Sequence, residues 1–214
     1  MDDKLTISLP TGRLKKDSLA LLSQLPDWPS GFEFESRKLV FEEATSPYRI
    51  VFSHPKDSST YVEFGAADLG IVGKDILLER GNEVYELLDL KIGSCTMVLA
   101  GPQGVTRSQL WEKEELRIAT KYPNFTRKYL QERGITADII PLYGSIEVAP
   151  TIGLSDAIVD LVSTGTTLKE NQLWVIEEIV PISARVVANR VSIKIKAQLI
   201  QQFIKKLEKV VKHE

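Results

Sequence analysis

The chain has 214 residues and 24.0 kDa, 43% hydrophobic and 26% charged, a balance that excludes disorder, collagen and a disulfide scaffold. Its 27 Lys and Arg against 29 Asp and Glu leave a net charge of −2, so no global basic field exists for a polyanion and no nucleic acid is expected as partner. One cysteine (Cys95) and two histidines (His54 and His213) make neither an internal disulfide nor a protein zinc site, and an acidic start with no run of roughly 18 apolar residues predicts a cytoplasmic protein without signal peptide, membrane span or membrane partner.

Short β-branched or apolar runs at 5–9, 49–52, 69–72, 96–100, 117–120, 138–142 and 157–162 predict strands, and the helical spacing between them predicts α/β layering. Segment 14–25, apolar at Leu14, Leu19, Leu22 and Leu25, predicts one covering helix. Segment 124–133, with Phe125, Tyr129 and Leu130 ahead of Gly134 as the stop, predicts another. Lys74 and Asp75 read as a helix start. Residues 173–180 and 185–191 predict two consecutive strands separated by Pro181. The closing stripe of Leu199, Ile200, Phe203, Ile204, Leu207, Val210 and Val211 predicts a helix whose Lys205, Lys206, Lys209 and Lys212 form a solvated face. No repeat or long linker is present, so any division into lobes is made by short crossovers.

No Gly-x4-Gly-Lys-Ser/Thr loop, Gly-x-Gly-x-x-Gly helix opening or Gly-x-Ser-x-Gly elbow occurs, which disfavours P-loop kinases, dinucleotide dehydrogenases and α/β-hydrolases. With only two histidines, one of them near the end of the chain, a Ser-His-Asp or Cys-His arrangement is disfavoured too. The informative segment is 156–171. There an apolar strand carrying Asp160 enters a loop of Ser163, Thr164, Thr166 and Thr167 around Gly165, followed by a stretch of helical propensity. Such a loop can aim hydroxyls, backbone N–H groups and a helix dipole at one phosphate, with Asp160 accepting from ribose hydroxyls. A Ser/Thr-rich helix cap has the same spacing, and on spacing alone the two readings stand equal.

The blocks Arg117-Ile-Ala-Thr-Lys-Tyr-Pro123, Leu142-Tyr-Gly-Ser-Ile-Glu147-Val-Ala-Pro150, Gly153-Leu-Ser-Asp-Ala-Ile-Val-Asp160 and Ser163-Thr-Gly-Thr-Thr-Leu-Lys-Glu-Asn171 resemble those of the ATP phosphoribosyltransferases of histidine biosynthesis. So do Leu9-Pro-Thr-Gly-Arg13-Leu, Ser36-Arg-Lys-Leu and Tyr61-Val-Glu-Phe-Gly-Ala-Ala-Asp68-Leu-Gly-Ile-Val-Gly-Lys-Asp75. The resemblance covers essentially the whole chain. It implies a two-lobed α/β fold of the periplasmic-binding-protein type II kind, with lobe I at 1–94 and 184–214, lobe II at 95–183 and the active site in the inter-lobe cleft. It implies transfer of the phosphoribosyl group of phosphoribosyl diphosphate (PRPP) to N1 of ATP, with pyrophosphate released. A ring nitrogen with a free lone pair needs no general base, in agreement with the scarcity of histidine.

By the same resemblance, Ser163, Thr164, Gly165, Thr166 and Thr167 would hold the 5′-phosphate, and Glu147 and Asp160 the ribose. Arg13 and Arg37 would act electrostatically on ATP or diphosphate, Arg13 and Asp68 would lie at the nucleotide, and Mg²⁺ would be held mainly by the substrate diphosphate without a dedicated protein site. The chain resembles the short form of the family. That form implies a histidyl-tRNA-synthetase-like regulatory subunit in a hetero-octamer, a homodimer of catalytic chains, and no inhibition of the isolated chain by histidine. Two departures stand out. Thr11 replaces the family lysine in the first loop, and His54 replaces the arginine that would neutralise the leaving diphosphate, which leaves Lys56 or protonated His54 to do so. Tyr61 and Tyr143 could stack on adenine, but core packing is the expectation for both. A solute-binding module, or a paralogue that lost turnover, would share this architecture.

Overall fold

The computed structural model describes residues 4–29 and 37–212; His213 and Ser36 lie outside these. In chain order the elements begin β1 (Leu5–Pro10), α1 (Arg13–Leu22), β2 (Val40–Glu42), β3 (Tyr48–Ser53), α2 (Ser58–Glu63), β4 (Leu69–Gly73), α3 (Lys74–Arg80) and β5 (Tyr85–Asp89). They continue with β6 (Cys95–Pro102), α4 (Arg107–Trp111), β7 (Arg117–Thr120), α5 (Pro123–Gln131), β8 (Asp138–Pro141), α6 (Val148–Thr151), β9 (Ala157–Val162) and α7 (Thr166–Glu170). The last are β10 (Leu173–Ile182), β11 (Ala184–Ala188), α8 (Ser192–Ile195) and α9 (Ala197–Val211). Two compact units result. One holds Met1–Leu77, Gly81–Gly93 and Ser183–Glu214, the other Leu78–Arg80 and Ser94–Ile182. These limits differ by one residue at each crossover from those expected, and the last residues of α3 are grouped with the second unit.

The first unit is built on a sheet of order β2-β3-β1-β4-β11-β5, in which β1 runs parallel to both β3 and β4. Every residue of β1 is buried, the pattern of a parallel strand covered on both faces, and the hydroxyls of Thr6 and Ser8 that alternate with Leu5, Ile7 and Leu9 are buried too. Leu21 and Leu22 of α1 and Ile200, Phe203 and Leu207 of α9 close over one face of this sheet. Lys205, Lys209 and Lys212 are exposed as expected, while Lys206 donates to Asp27 at 2.6 Å. Asp27 also accepts from the Tyr48 hydroxyl at 2.8 Å; burial and the Asp27 carboxylate push that phenol well above its ordinary pKa.

The second unit has the order β10-β6-β9-β7-β8, with β7 parallel to β8 and β9. Its side chains alternate cleanly between two cores. Met97, Leu99, Ile118 and Val159 face Leu110 of α4 and Tyr129 and Leu130 of α5, whereas Val98, Ala100, Ala119 and Ile158 face Ile146, Ala149 of α6 and Leu168 of α7. Pro181 does not separate two strands as expected but lies inside β10. β10 is an edge strand and carries two register shifts, so a residue without an N–H costs the ladder little there.

Helix α5 starts at Pro123, and the Glu79 carboxylate accepts from the N–H groups of Asn124 at 3.0 Å and Phe125 at 2.9 Å, satisfying donors that the helix leaves unpaired. It stops as the sequence predicts. Gly134 adopts φ 68°, its N–H bonds Gln131 O and that of Ile135 bonds Leu130 O, the paired closure of a Schellman turn. A Cβ at Gly134 would meet nothing within 4 Å, so only the left-handed backbone opposes substitution. Gly134→Ala is expected to destabilise by about 1 kcal/mol, read as a lower urea midpoint at unchanged slope.

Candidate functional site

The second unit gathers its chemistry along one edge. β7, β8 and β9 are parallel, so the segments that leave their carboxyl ends emerge together: Lys121 after β7, the 142–147 loop after β8, and Ser163–Gly165 after β9. Asp160 belongs to β9 two residues beyond Ile158, and so faces the α6 and α7 side of the sheet. It is buried, 6% exposed. Burial first, then the Glu147 carboxylate, push its pKa up, and Lys121, whose Nζ lies 3.1 Å from Oδ2, pulls it back without cancelling the rise. Glu147 is half-buried and precedes α6 directly, and Ser145 two residues earlier is held at φ 50°, a conformation that costs a non-glycine residue energy.

The cap reading of the Ser163–Thr167 loop fails. The residue that opens α7 is Gly165 at φ 75°, and no side chain caps the helix. Ser163, Thr164, Thr166 and Thr167 are exposed, and Thr164 and Thr166 hydroxyls lie 3.1 Å apart. α7 has only five residues, so the loop is followed by no long helix dipole. A residue requiring left-handed backbone in the middle of four hydroxyls explains why glycine stands at 165.

In the first unit Arg13 is the first residue of α1, directly beyond the carboxyl end of β1, and it is exposed. β3 runs parallel beside β1, with Pro10 opposite Ser53 and Thr11 N–H donating to Ser53 O at 2.8 Å, so the His54–Lys56 turn emerges at the same edge. β2 is antiparallel to β3, and Phe52 N–H donates to Leu39 O at 2.8 Å, which brings the exposed Arg37 to that edge as well. Lys56 N–H donates to His54 Nδ1 at 3.3 Å, a bond only an imidazole unprotonated at Nδ1 can accept. The Lys56 side chain stays exposed.

Asp68 lies at the other edge of this sheet. It precedes β4 and receives the N–H of Thr6, which puts it at the amino end of the parallel strands, the opposite edge from Arg13. Its carboxylate is spent internally: Oδ2 accepts from Thr6 N–H at 2.9 Å and Lys196 Nζ at 2.7 Å, and Oδ1 from Ser192 Oγ at 2.6 Å. It is 7% exposed, and it ties the start of β1 to the α8–α9 segment. Tyr61 and Tyr143 are corrections: both are exposed, Tyr143 at 98%, so neither packs into a core. Lys74 and Asp75 do open α3.

Residues 54–209, more than half of the chain, match the family model for ATP phosphoribosyltransferase (HisG). The chain belongs to this family. It is 46% identical over 212 residues to the ATP phosphoribosyltransferase of Syntrophotalea carbinolica, covering 99% of this chain and 97% of that one. It is 48% identical over 208 residues to that of Caldicellulosiruptor bescii, covering 97% and 99%. Among solved structures it superposes with a TM-score of 0.83 and 37% identity on one described as the ATP phosphoribosyl transferase (HisG:HisZ) complex from Thermotoga maritima, over 98% of this chain and 100% of that one. The periplasmic aliphatic sulphonate binding protein SsuA from Escherichia coli superposes at 0.60 with 14% identity, over 98% of this chain and 72% of that one, which shows the two-lobed fold alone. Membership makes the chain a pentosyltransferase of histidine biosynthesis. No helix among the described residues is long and apolar enough to cross a membrane.

The arrangement is an exposed loop of hydroxyls with a buried carboxylate, Asp160, on the strand that leads into it. Lys121 falls within the Arg117–Pro123 block, where sequence alone assigns it no role; its signal lies in the register of β7 against β9, since Thr120 stands opposite Val159 and the next residue along the chain meets Asp160.

Proposed function

We propose that the chain transfers the phosphoribosyl group of PRPP to N1 of ATP. In this reaction the N1 lone pair forms a bond to the ribose anomeric carbon, the bond from that carbon to the diphosphate oxygen breaks, and pyrophosphate leaves with the electron pair. The observation that carries the reading is the Ser163–Thr167 loop, whose hydroxyls are left uncapped and exposed next to a buried carboxylate. In this reading the loop N–H groups and the hydroxyls of Ser163, Thr164, Thr166 and Thr167 hold the 5′-phosphate, and Asp160 and Glu147 accept from the ribose hydroxyls. Charge then develops on the sugar and on the departing diphosphate, so positioning and electrostatics supply the rate and no general base is assigned.

Arg13, Arg37 and Lys56 serve the triphosphate and the diphosphate as cations, Lys56 in place of the family arginine. Among the described residues no three His, Cys, Asp or Glu side chains gather to hold a metal ion. With Asp160 already paired to Lys121, a hard cation wanting about six oxygens fits this site chiefly through oxygens of the diphosphate itself. Mg²⁺ bound in that way supplies charge neutralisation of the leaving group. The likeness to the Thermotoga maritima HisG:HisZ complex supports a second subunit as partner; its histidyl-tRNA-synthetase-like character, a homodimer of this chain and a hetero-octamer rest on the resemblance to the short form, and the composition supports a cytoplasmic location.

Pyrophosphate release by the purified chain with Mg²⁺, ATP and PRPP, each substrate omitted in turn and the series repeated with the partner, tests the reading. Release that needs both substrates is expected; release with either alone, or none in any setting, overturns it.

A further inference from the structure

Lys121 leaves β7 at a point where the backbone is unusually well tied. Thr120 Oγ1 donates to Val159 O at 2.7 Å, Tyr122 N–H donates to Thr120 Oγ1 at 2.9 Å, and Thr126 Oγ1 donates to the same oxygen at 3.2 Å, all buried. The Lys121 stem therefore starts from a fixed position beside β9, and its Nζ sits 3.1 Å from Asp160 Oδ2, the carboxylate 9% exposed and the lysine side chain 32%. The groups that face Asp160 are few. Lys121 comes from the β7–α5 turn and Glu147 from the start of α6; β6 sets Val98 opposite it, and α7 contributes Leu168 to the same core. Burial and Glu147 both favour the neutral acid, and Lys121, helped by the backbone N–H of Leu161, opposes them.

We propose that Lys121 is a positioning residue that keeps the Asp160 carboxylate charged and aimed so that it accepts hydrogen bonds from the ribose of the phosphoribosyl donor, an inference that rests on the reading of this loop given above. A protonated Asp160 would present an O–H where the sugar also presents O–H groups, and acceptor capacity would be lost. A lysine suits the task because its compact cation occupies one carboxylate oxygen, Oδ2, and leaves the other to accept from the sugar.

The test compares the wild type with Lys121→Met, Lys121→Arg and Asp160→Asn, each checked for folding by circular dichroism. Two readouts are followed between pH 5 and 8.5: the carboxyl ¹³C titration of Asp160, assigned by its loss in Asp160→Asn, and the calorimetric affinity for PRPP in the absence of ATP. In Lys121→Met the carboxyl midpoint is expected to move to higher pH. PRPP affinity at pH 6 is expected to fall about tenfold and to recover as pH rises, since the deprotonated fraction recovers with it, and Lys121→Arg is expected to restore most of the affinity. A carboxyl midpoint that does not move overturns the role of Lys121 whatever PRPP does. A midpoint that moves while Lys121→Met and Asp160→Asn both bind PRPP like the wild type overturns the ribose reading of Asp160 and, with it, the positioning role. A loss of affinity that is equal at all pH values and not restored by arginine marks a merely structural part and also overturns the proposal.

Discussion

Replacing Asp160 by asparagine is expected to lower kcat/KM for PRPP by about a hundredfold and, at the same time, to raise the unfolding temperature by about a degree or two at pH 7. The loss of activity follows from exchanging a charged acceptor for a neutral one opposite the sugar hydroxyls, where each charge-assisted hydrogen bond contributes roughly 1.5–3 kcal/mol. The gain in stability follows from the direction of the pKa shift. Burial, with Glu147 adding to it, raises the folded-state pKa of Asp160 above its ordinary value, so the folded chain binds this proton more tightly than the unfolded chain. Stability from that proton is fully present below the ordinary carboxylate pKa and is lost as pH rises through the raised one, so at pH 7 the ionised group is a net cost. Asparagine has no charge to desolvate, and Lys121, a third exposed, can turn its ammonium toward water. The same logic makes the stability difference between wild type and Asp160→Asn smallest in acid and largest at neutral pH. Thermal melts at pH 4 and pH 7, set beside steady-state kinetics with PRPP varied, check both halves. A variant that loses stability at pH 7 would show that Lys121 outweighs burial.

Asp68→Ala is expected to destabilise the fold by about 3–5 kcal/mol, the range for breaking one partner out of a buried ion pair, and to lower the unfolding temperature by roughly 10 °C in a chain of this size. Three groups lose their acceptor together: Thr6 N–H, the Ser192 hydroxyl and the Lys196 ammonium. Lys196 keeps one bond, to Lys4 O at 2.7 Å, but its charge is left mostly enclosed with the side chain 18% exposed. Because α9 follows Lys196 directly and buries Ile200, Phe203 and Leu207 in the core of the first unit, loosening this point loosens the covering helix. Catalysis should respond differently. Asp68 sits at the amino end of the parallel strands, so kcat/KM per folded molecule at 25 °C should stay within about twofold of the wild type. A large fall in kcat/KM at a temperature where the variant is folded would place Asp68 at the nucleotide instead.

Local signals in the sequence were read well. The runs at 5–9, 69–72, 117–120 and 157–162 became β1, β4, β7 and β9 because their buried positions are filled mainly by β-branched and apolar residues, even with Thr6, Ser8, Thr120 and Asp160 among them. Gly134 marked the end of α5 because a left-handed closing residue selects glycine. β2 and β5 were not legible: Val40–Glu42 is three residues with one buried, and Tyr85–Asp89 has no buried residue, so their strand state comes from pairing with β3 and β11. Pro181 was read as a break because proline removes a ladder donor, and only the edge position of β10 makes that loss tolerable.

The candidate site divides along the same line. The sequence by itself determined the α/β class, the family blocks, the cluster of hydroxyls around Gly165 and the acid ahead of it, because each is written in contiguous residues. What surrounds those residues was decided by tertiary structure alone. Asp160 and Lys121 are 39 positions apart and meet through the register of β7 on β9; Asp68 and Lys196 are 128 apart and meet where the closing helix crosses the start of β1. Two aspartates of similar local appearance thus diverge, one with a single cation at the mouth of an exposed loop and the other with every carboxylate oxygen engaged by the fold. The reason is physical: a carboxylate's charge state and availability depend on burial and on the groups within about 4 Å of it, and those are supplied by strands and helices distant in sequence.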